Sequence, residues 1–103
     1  MSYILPLRIE QTDEYRRWIG ALRDRAGRAR ILVRVDRLIH GHPGDHRHLD
    51  GGIAELKIDA GPGYRVYYQQ RGHVLLLLLI GGDKSTQNKD IAKARSLAKA
   101  YEG

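Results

Sequence analysis

The chain contains no cysteine among its 103 residues. That excludes disulfide staples, thiolate metal sites and a thiol nucleophile together. Proline is scarce at three residues, two of them in glycine-containing turns. Long apolar runs are missing. The longest, Val74 to Ile80, is far short of the about 20 residues that a membrane-spanning helix needs. The opening residues lack the charged-then-apolar pattern of a secretion signal, so a cytoplasmic protein is expected. Acidic residues are the minority, twelve against eighteen Lys and Arg, for a formal net charge of +6. Thirteen of those cations are Arg, whose planar fork suits phosphate oxygens. A phosphate-rich polymer is therefore the partner class that charge favours. At this length one domain, spanning residues 1–103, is expected.

Hydrophobic periodicity then orders the elements. Tyr3 to Ile9 is rich in strand formers, and Pro6 within it suits an edge strand. Thr12 and Asp13 are candidate helix caps. After them Tyr15, Trp18, Ile19 and Leu22 recur at helical spacing. Gly27 is expected to break that helix. A second helix follows with Ile31, Leu32, Val35, Leu38 and Ile39 inward, ending near Gly41. A polar loop from Gly41 to Gly52 holds His40's neighbours His42, His46 and His48. The period then changes to two over Ile53 to Asp59 and again over Tyr64 to Gln69, joined by Gly61-Pro62-Gly63. Val74 to Ile80 reads as a central strand, ended by Gly81-Gly82. Ser85 or Asn88 is expected to cap a last helix with Ile91, Ala94, Leu97, Ala98 and Tyr101 inward. The order β-α-α-β-β-β-α predicts an α+β domain, its helices packed on one face of a mostly antiparallel sheet.

If Ala54, Leu56, Ile58, Val66 and Tyr68 pack under the helices, period two sends Glu55, Lys57, Arg65 and Tyr67 to the opposite, solvated face. The short turn keeps the two strands adjacent, so Lys57 and Arg65 approach each other across the ladder. Two neighbouring cations repel unless an anion, either Glu55 or a bound phosphodiester, offsets them. Lys84 adds a third cation at the rim, and Tyr67 is placed to stack a base or donate a phenolic proton. Solubility alone also accounts for cations on an exposed sheet face.

Three stretches carry a family resemblance: Glu55-Leu56-Lys57-Ile58, Gly63-Tyr64-Arg65-Val66-Tyr67-Tyr68, and the run from Leu79-Ile80-Gly81-Gly82-Asp83-Lys84 through Lys89 to Ala94. Together they resemble the addiction-module killer proteins, a HigB-like and phage-derived branch of the RelE/ParE superfamily of bacterial toxins. The element order is similar from Tyr3 to Tyr101. The resemblance implies a toxin of a type II toxin–antitoxin system, held by a cognate antitoxin carrying a helix-turn-helix domain. It also implies a monomer or homodimer when free. Active relatives of this kind cut mRNA on the ribosome without a metal or cofactor: the ribose 2′-hydroxyl attacks the adjacent phosphorus, leaving a cyclic phosphate and a 5′-hydroxyl. Such chemistry needs cations on the phosphorane, a proton acceptor and a proton donor. Carried over residue by residue, the resemblance puts Arg65 on the scissile phosphate and Lys57 and Lys84 beside it, with Lys89 as a further RNA contact. The chain departs from the best-described pattern by lacking an acid or base after the last strand, where Glu55 and Tyr67 are the nearest substitutes. Two alternatives share the fold: a gyrase poison that cuts no RNA, and an inactive binding module acting as co-repressor.

Other groupings are weaker. His40, His42, His46 and His48 are dense enough for zinc or nickel, but glycines between them and the lack of Cys favour a solvated loop, and no metal is expected. Ser85-Thr86 suits capping better than nucleophilic catalysis. Gly81-Gly82-Asp83-Lys84-Ser85 lacks full phosphate-loop spacing. The arginines of the two N-terminal helices, among them Arg16, Arg17, Arg30, Arg34 and Arg37, are expected on solvated faces.

Overall fold

The structure is a computed structural model and describes residues 8–73 and 75–101. Its elements run β1 (Arg8–Gln11), α1 (Asp13–Ala21), α2 (Arg25–Ile39), β2 (His46–His48), β3 (Ala54–Ile58), β4 (Tyr64–Arg71), β5 (Leu75–Asp83), a short 3-10 turn (Lys84–Thr86) and α3 (Gln87–Ala100). Most of the expected opening strand, Tyr3 to Leu7, lies outside the described residues. None of the described helices is long and apolar enough to cross a membrane.

Thr12 caps α1 as its sequence position implies, its hydroxyl accepting from the Tyr15 N–H at 3.0 Å. Its backbone N–H donates to the Leu78 carbonyl, which joins the start of α1 to β5. The break between α1 and α2 falls at Leu22 to Asp24 rather than at Gly27. Asp24 caps α2 by accepting from the Gly27 N–H, so Gly27 sits inside the first turn of α2. A glycine is needed there because the ring of Tyr64 fills the space that a Cβ would occupy. The Tyr64 hydroxyl donates to Asp24 at 2.8 Å, and these two bonds hold the Asp24 carboxyl below its ordinary range. On α2 the inward stripe is Ile31, Val35 and Leu38; Leu32 faces out and is 49% exposed.

The sheet runs β1-β5-β4-β3-β2. β1 lies parallel to β5 and every other pairing is antiparallel. β2 adds an edge strand where a loop is expected, pairing His46 with Leu56 and His48 with Ala54. The larger correction concerns the layers. Helices α1 and α2 pack on one face against Leu56, Ile58, Val66, Leu76 and Leu78. Helix α3 packs on the other face, its Ala94 and Ala98 against Ile53, Tyr67, Leu77 and Leu79. Two-sided covering explains why β5 is apolar at every position from Leu75 to Leu79. A fully buried leucine contributes roughly 1.5–3 kcal/mol, so this strand anchors both layers.

The Gly81-Gly82 pair does not end the strand but continues it to Asp83. The Trp18 ring packs against Gly81 on one face, and Asp90 of α3 presses on Gly82 from the other, leaving no room for a Cβ at either. Overpacking of this kind costs about 2 kcal/mol. Gly81→Ala is therefore expected to lower the melting temperature by roughly 10 °C. Combining it with Trp18→Leu should recover part of the loss in the same thermal melt; an unaltered melting temperature for Gly81→Ala alone would contradict the packing.

Candidate functional site

The turn between β3 and β4 sets the geometry. Gly61 and Gly63 take positive φ values of 51° and 82°, which only glycine adopts cheaply. The reversal places Lys57 directly opposite Arg65, and Glu55 directly opposite Tyr67. Neighbouring strands extend each row. Arg65 faces Gly82 of β5, while Arg47 of β2 faces Glu55. All these side chains lie on the α3 side of the sheet, as period two requires.

Helix α3 divides the group into a sealed part and an open part. Glu55 and Tyr67 have no exposed surface, which corrects the expectation that both face solvent and excludes direct contact with RNA in this conformation. Glu55 instead accepts three hydrogen bonds: from Arg47 Nε at 2.8 Å, Gln87 Nε2 at 2.7 Å and the Tyr67 hydroxyl at 3.0 Å. Burial raises the Glu55 pKa, but the bonds from Gln87, Arg47 and Tyr67 outweigh it and leave the carboxyl below its ordinary value. Burial, then the hydrogen bond to Glu55, pushes the Tyr67 phenol well above its ordinary value, so it holds its proton at neutral pH.

Lys57 and Arg65 remain partly exposed at the open end. The Arg65 guanidinium is held by its own turn, Nη1 donating to the Gly63 and Tyr64 carbonyls at 3.2 and 3.1 Å, while its Nε is buried without a partner. Lys84 stands beside it: a Cβ placed on Gly63 would lie 3.5 Å from both Arg65 Nη1 and Lys84 Cβ. Glu55 is the nearest acid along the strand, and it is already paired with Arg47. Among the described residues, Lys57, Arg65 and Lys84 have no carboxylate within 4.0 Å. The trio thus makes no direct ion pair, although acids stand close by: Asp83 precedes Lys84, and Asp90 presses on Gly82, the ladder partner of Arg65. Its backbone is tied down from behind by Arg34, which donates to the carbonyls of Lys57 at 2.6 Å, Pro43 at 2.9 Å and Asp45 at 3.0 Å. Arg34 is therefore a strut between α2 and β3 rather than a solvated side chain.

Lys89 is exposed in the first turn of α3, on a separate element from the trio. Capping before α3 comes from Asp83, which accepts from the N–H and the hydroxyl of Ser85, rather than from Ser85 or Asn88. Of the histidines, His46 and His48 lie on the exposed edge strand with their rings edge to face at 5.5 Å. Among the described residues no three His, Asp or Glu side chains are grouped to hold a metal ion. Two residues of the network, Arg47 and Gln87, escape sequence reasoning. Arg47 lies in a stretch that reads as loop, and nothing local links Gln87 to a carboxylate 32 residues earlier.

The Glu55 network has a testable pH signature. A carboxyl held below its unfolded value, near 4.3, contributes stability that is fully present above that pH and lost as acid protonates it in the folded state. Glu55→Gln is expected to cost about 1–3 kcal/mol at pH 7. In urea titrations the gap between variant and parent should shrink as the pH falls toward 3; a gap independent of pH would contradict the charged network.

The chain is similar to an uncharacterized protein of Haemophilus influenzae, with 44% identity over 94 residues that span 91% of this chain and 95% of that protein. No family model matches the chain, and no solved structure matches it.

Proposed function

We propose that this chain, which belongs to the same family as that Haemophilus influenzae protein, is the toxin of a type II toxin–antitoxin pair and cuts mRNA on the ribosome in the cytoplasm. The fold is read as RelE-like, with β2 added at one edge. Support comes from one observation above the others: Lys57 lies directly opposite Arg65, the Lys84 stem stands beside Arg65, and among the described residues none of the three pairs with a carboxylate within 4.0 Å. A phosphodiester supplies the missing charge.

In this reading Arg65 grips the scissile phosphate, its orientation set in advance by the Gly63 and Tyr64 carbonyls. Lys57 and Lys84 share the stabilisation of the negative charge that builds on the phosphorane. The 2′-oxygen loses its proton and bonds to phosphorus, the bond to the 5′-oxygen breaks, and that oxygen takes up a proton. The products are a 2′,3′-cyclic phosphate and a 5′-hydroxyl. Either lysine is the candidate for proton transfer. Glu55 and Tyr67 act as positioning residues, since both are sealed beneath α3. Lys89 adds an RNA contact beyond the rim. The reaction calls for no metal or cofactor.

The antitoxin is proposed to dock through an acidic segment along the outer side of α2. A cavity of about 420 Å³ there is lined by Ala29, Val33 and Ile58, by Arg30, Arg34 and Arg37, and by a single acid, Asp59. Charge complementarity favours an acidic occupant.

Removing one preorganised charge from such a site costs on the order of 100-fold or more in rate. Arg65→Ala is expected to abolish growth arrest and the new RNA 5′ ends that appear within translated codons on induction, while melting like the parent. A variant that still arrests growth would overturn the assignment. Gyrase-dependent DNA damage without RNA cleavage would point to the gyrase-poison reading, and harmless overexpression of the parent to a binding module.

A further inference from the structure

At the other end of α3, away from the Lys57–Arg65 rim, lies a cavity of about 530 Å³. Its walls include Gln69, Gln70 and Arg71 of β4, Gly51 of the preceding loop, and Arg95 and Lys99 of α3. Three cations and two amides line it, with no acid among the lining residues. We propose that this cavity is a second anion site that holds a phosphate of a nucleic-acid backbone.

Arg71 is fixed in place. Its Nε donates to Gln69 Oε1 at 2.8 Å, Nη1 to the Tyr101 carbonyl at 2.9 Å and Nη2 to the Ala98 carbonyl at 2.7 Å, and its guanidinium lies over the Tyr101 ring. A guanidinium has five N–H groups, so two remain for a ligand. Those same bonds cap the carbonyl end of α3, whose partial negative charge would otherwise repel an anion. Arg95 uses only Nε internally, toward the Asp50 carbonyl, which leaves the end of its fork free. Arg95 and Lys99 stand four residues apart on the helix, where like charges repel. The sole acid of α3, Asp90, is buried and bonded by Thr86, so it offsets neither.

A polymer rather than a small anion is indicated by what lies between the two ends. Lys89 and Lys93 are exposed on one flank of α3 and Arg95 and Lys99 on the other, so cations border its outer face over about 20 Å. A chain of phosphates crossing that outer face reaches more than one of these clusters, whereas a free phosphate meets only one. Binding at this cavity stands apart from cleavage and does not require that the chain cut RNA.

The test is fluorescence anisotropy with labelled single-stranded RNA and with duplex DNA of matched length, over a range of salt. Arg95→Gln combined with Lys99→Gln should keep the parent's melting curve, because both side chains are exposed and glutamine suits a helix. Removing two phosphate contacts should lower the slope of log K against log salt by about 1.4 for a single strand, and weaken binding roughly tenfold at 100 mM salt. Arg16→Gln combined with Arg17→Gln removes the same charge from α1 and should leave the slope unchanged. The difference should persist on an Arg65→Ala background, which separates it from failure of the nuclease reading. Weakening of either polymer supports the site and identifies the backbone it accepts. An unchanged slope for both polymers, or an equal loss in the Arg16 and Arg17 control, would overturn it.

Discussion

A buried carboxylate organises this molecule. Glu55 lies on β3, next to the edge strand, with no exposed surface, and an unpaired charge there would be prohibitively costly. It is tolerated because three donors reach it from three separate elements: Arg47 from β2, Tyr67 from β4 and Gln87 from α3. The constraint runs both ways. The edge strand, the central strand and the start of α3 must each sit where its donor reaches that one side chain. The interaction therefore sets where α3 begins, and with it where the preceding turn carries Lys84.

Close backbone approach completes the same corner. Trp18 on one face and Asp90 on the other clamp the Gly81-Gly82 segment of β5, so strand and helix come nearer than any side chain would allow. At Gly63 the positive φ of 82° turns the chain so that Arg65 emerges beside Lys84. The glycine turn between β3 and β4 thus brings cation-bearing elements to one corner of the sheet. The cost of that meeting is repulsion, and Glu55 does not relieve it because Arg47 has already claimed the carboxylate.

The net charge of +6 is consequently not spread as a uniform solvating coat. Part of it is structural, since Arg34 and Arg71 spend their donors on backbone carbonyls and act as struts. Part is free, at the sheet rim and along the outer side of α3. A helix whose one acid is turned inward presents positive charge alone to solvent, and this arrangement suits a polyanion better than a compact ligand.

Much of this was legible from local pattern. The α+β class, the amphipathic stripe of α1, the cap at Thr12 and the nearness of Lys57 and Arg65 across the ladder all follow from periodicity and a short glycine turn. These features depend on residues near one another in the chain, and the hydrogen-bond geometry of helix and strand repeats locally. What lay beyond the sequence was the side of the sheet that α3 covers. Period two shows that Glu55, Lys57, Arg65 and Tyr67 share a face, but not that a helix more than twenty residues later seals two of them and leaves two open. That outcome was decided by the fit of Ala94 and Ala98 against Tyr67, Leu77 and Leu79, and by the reach of Gln87 to Glu55. Such contacts join distant segments through shape and burial, and no local repeat encodes them.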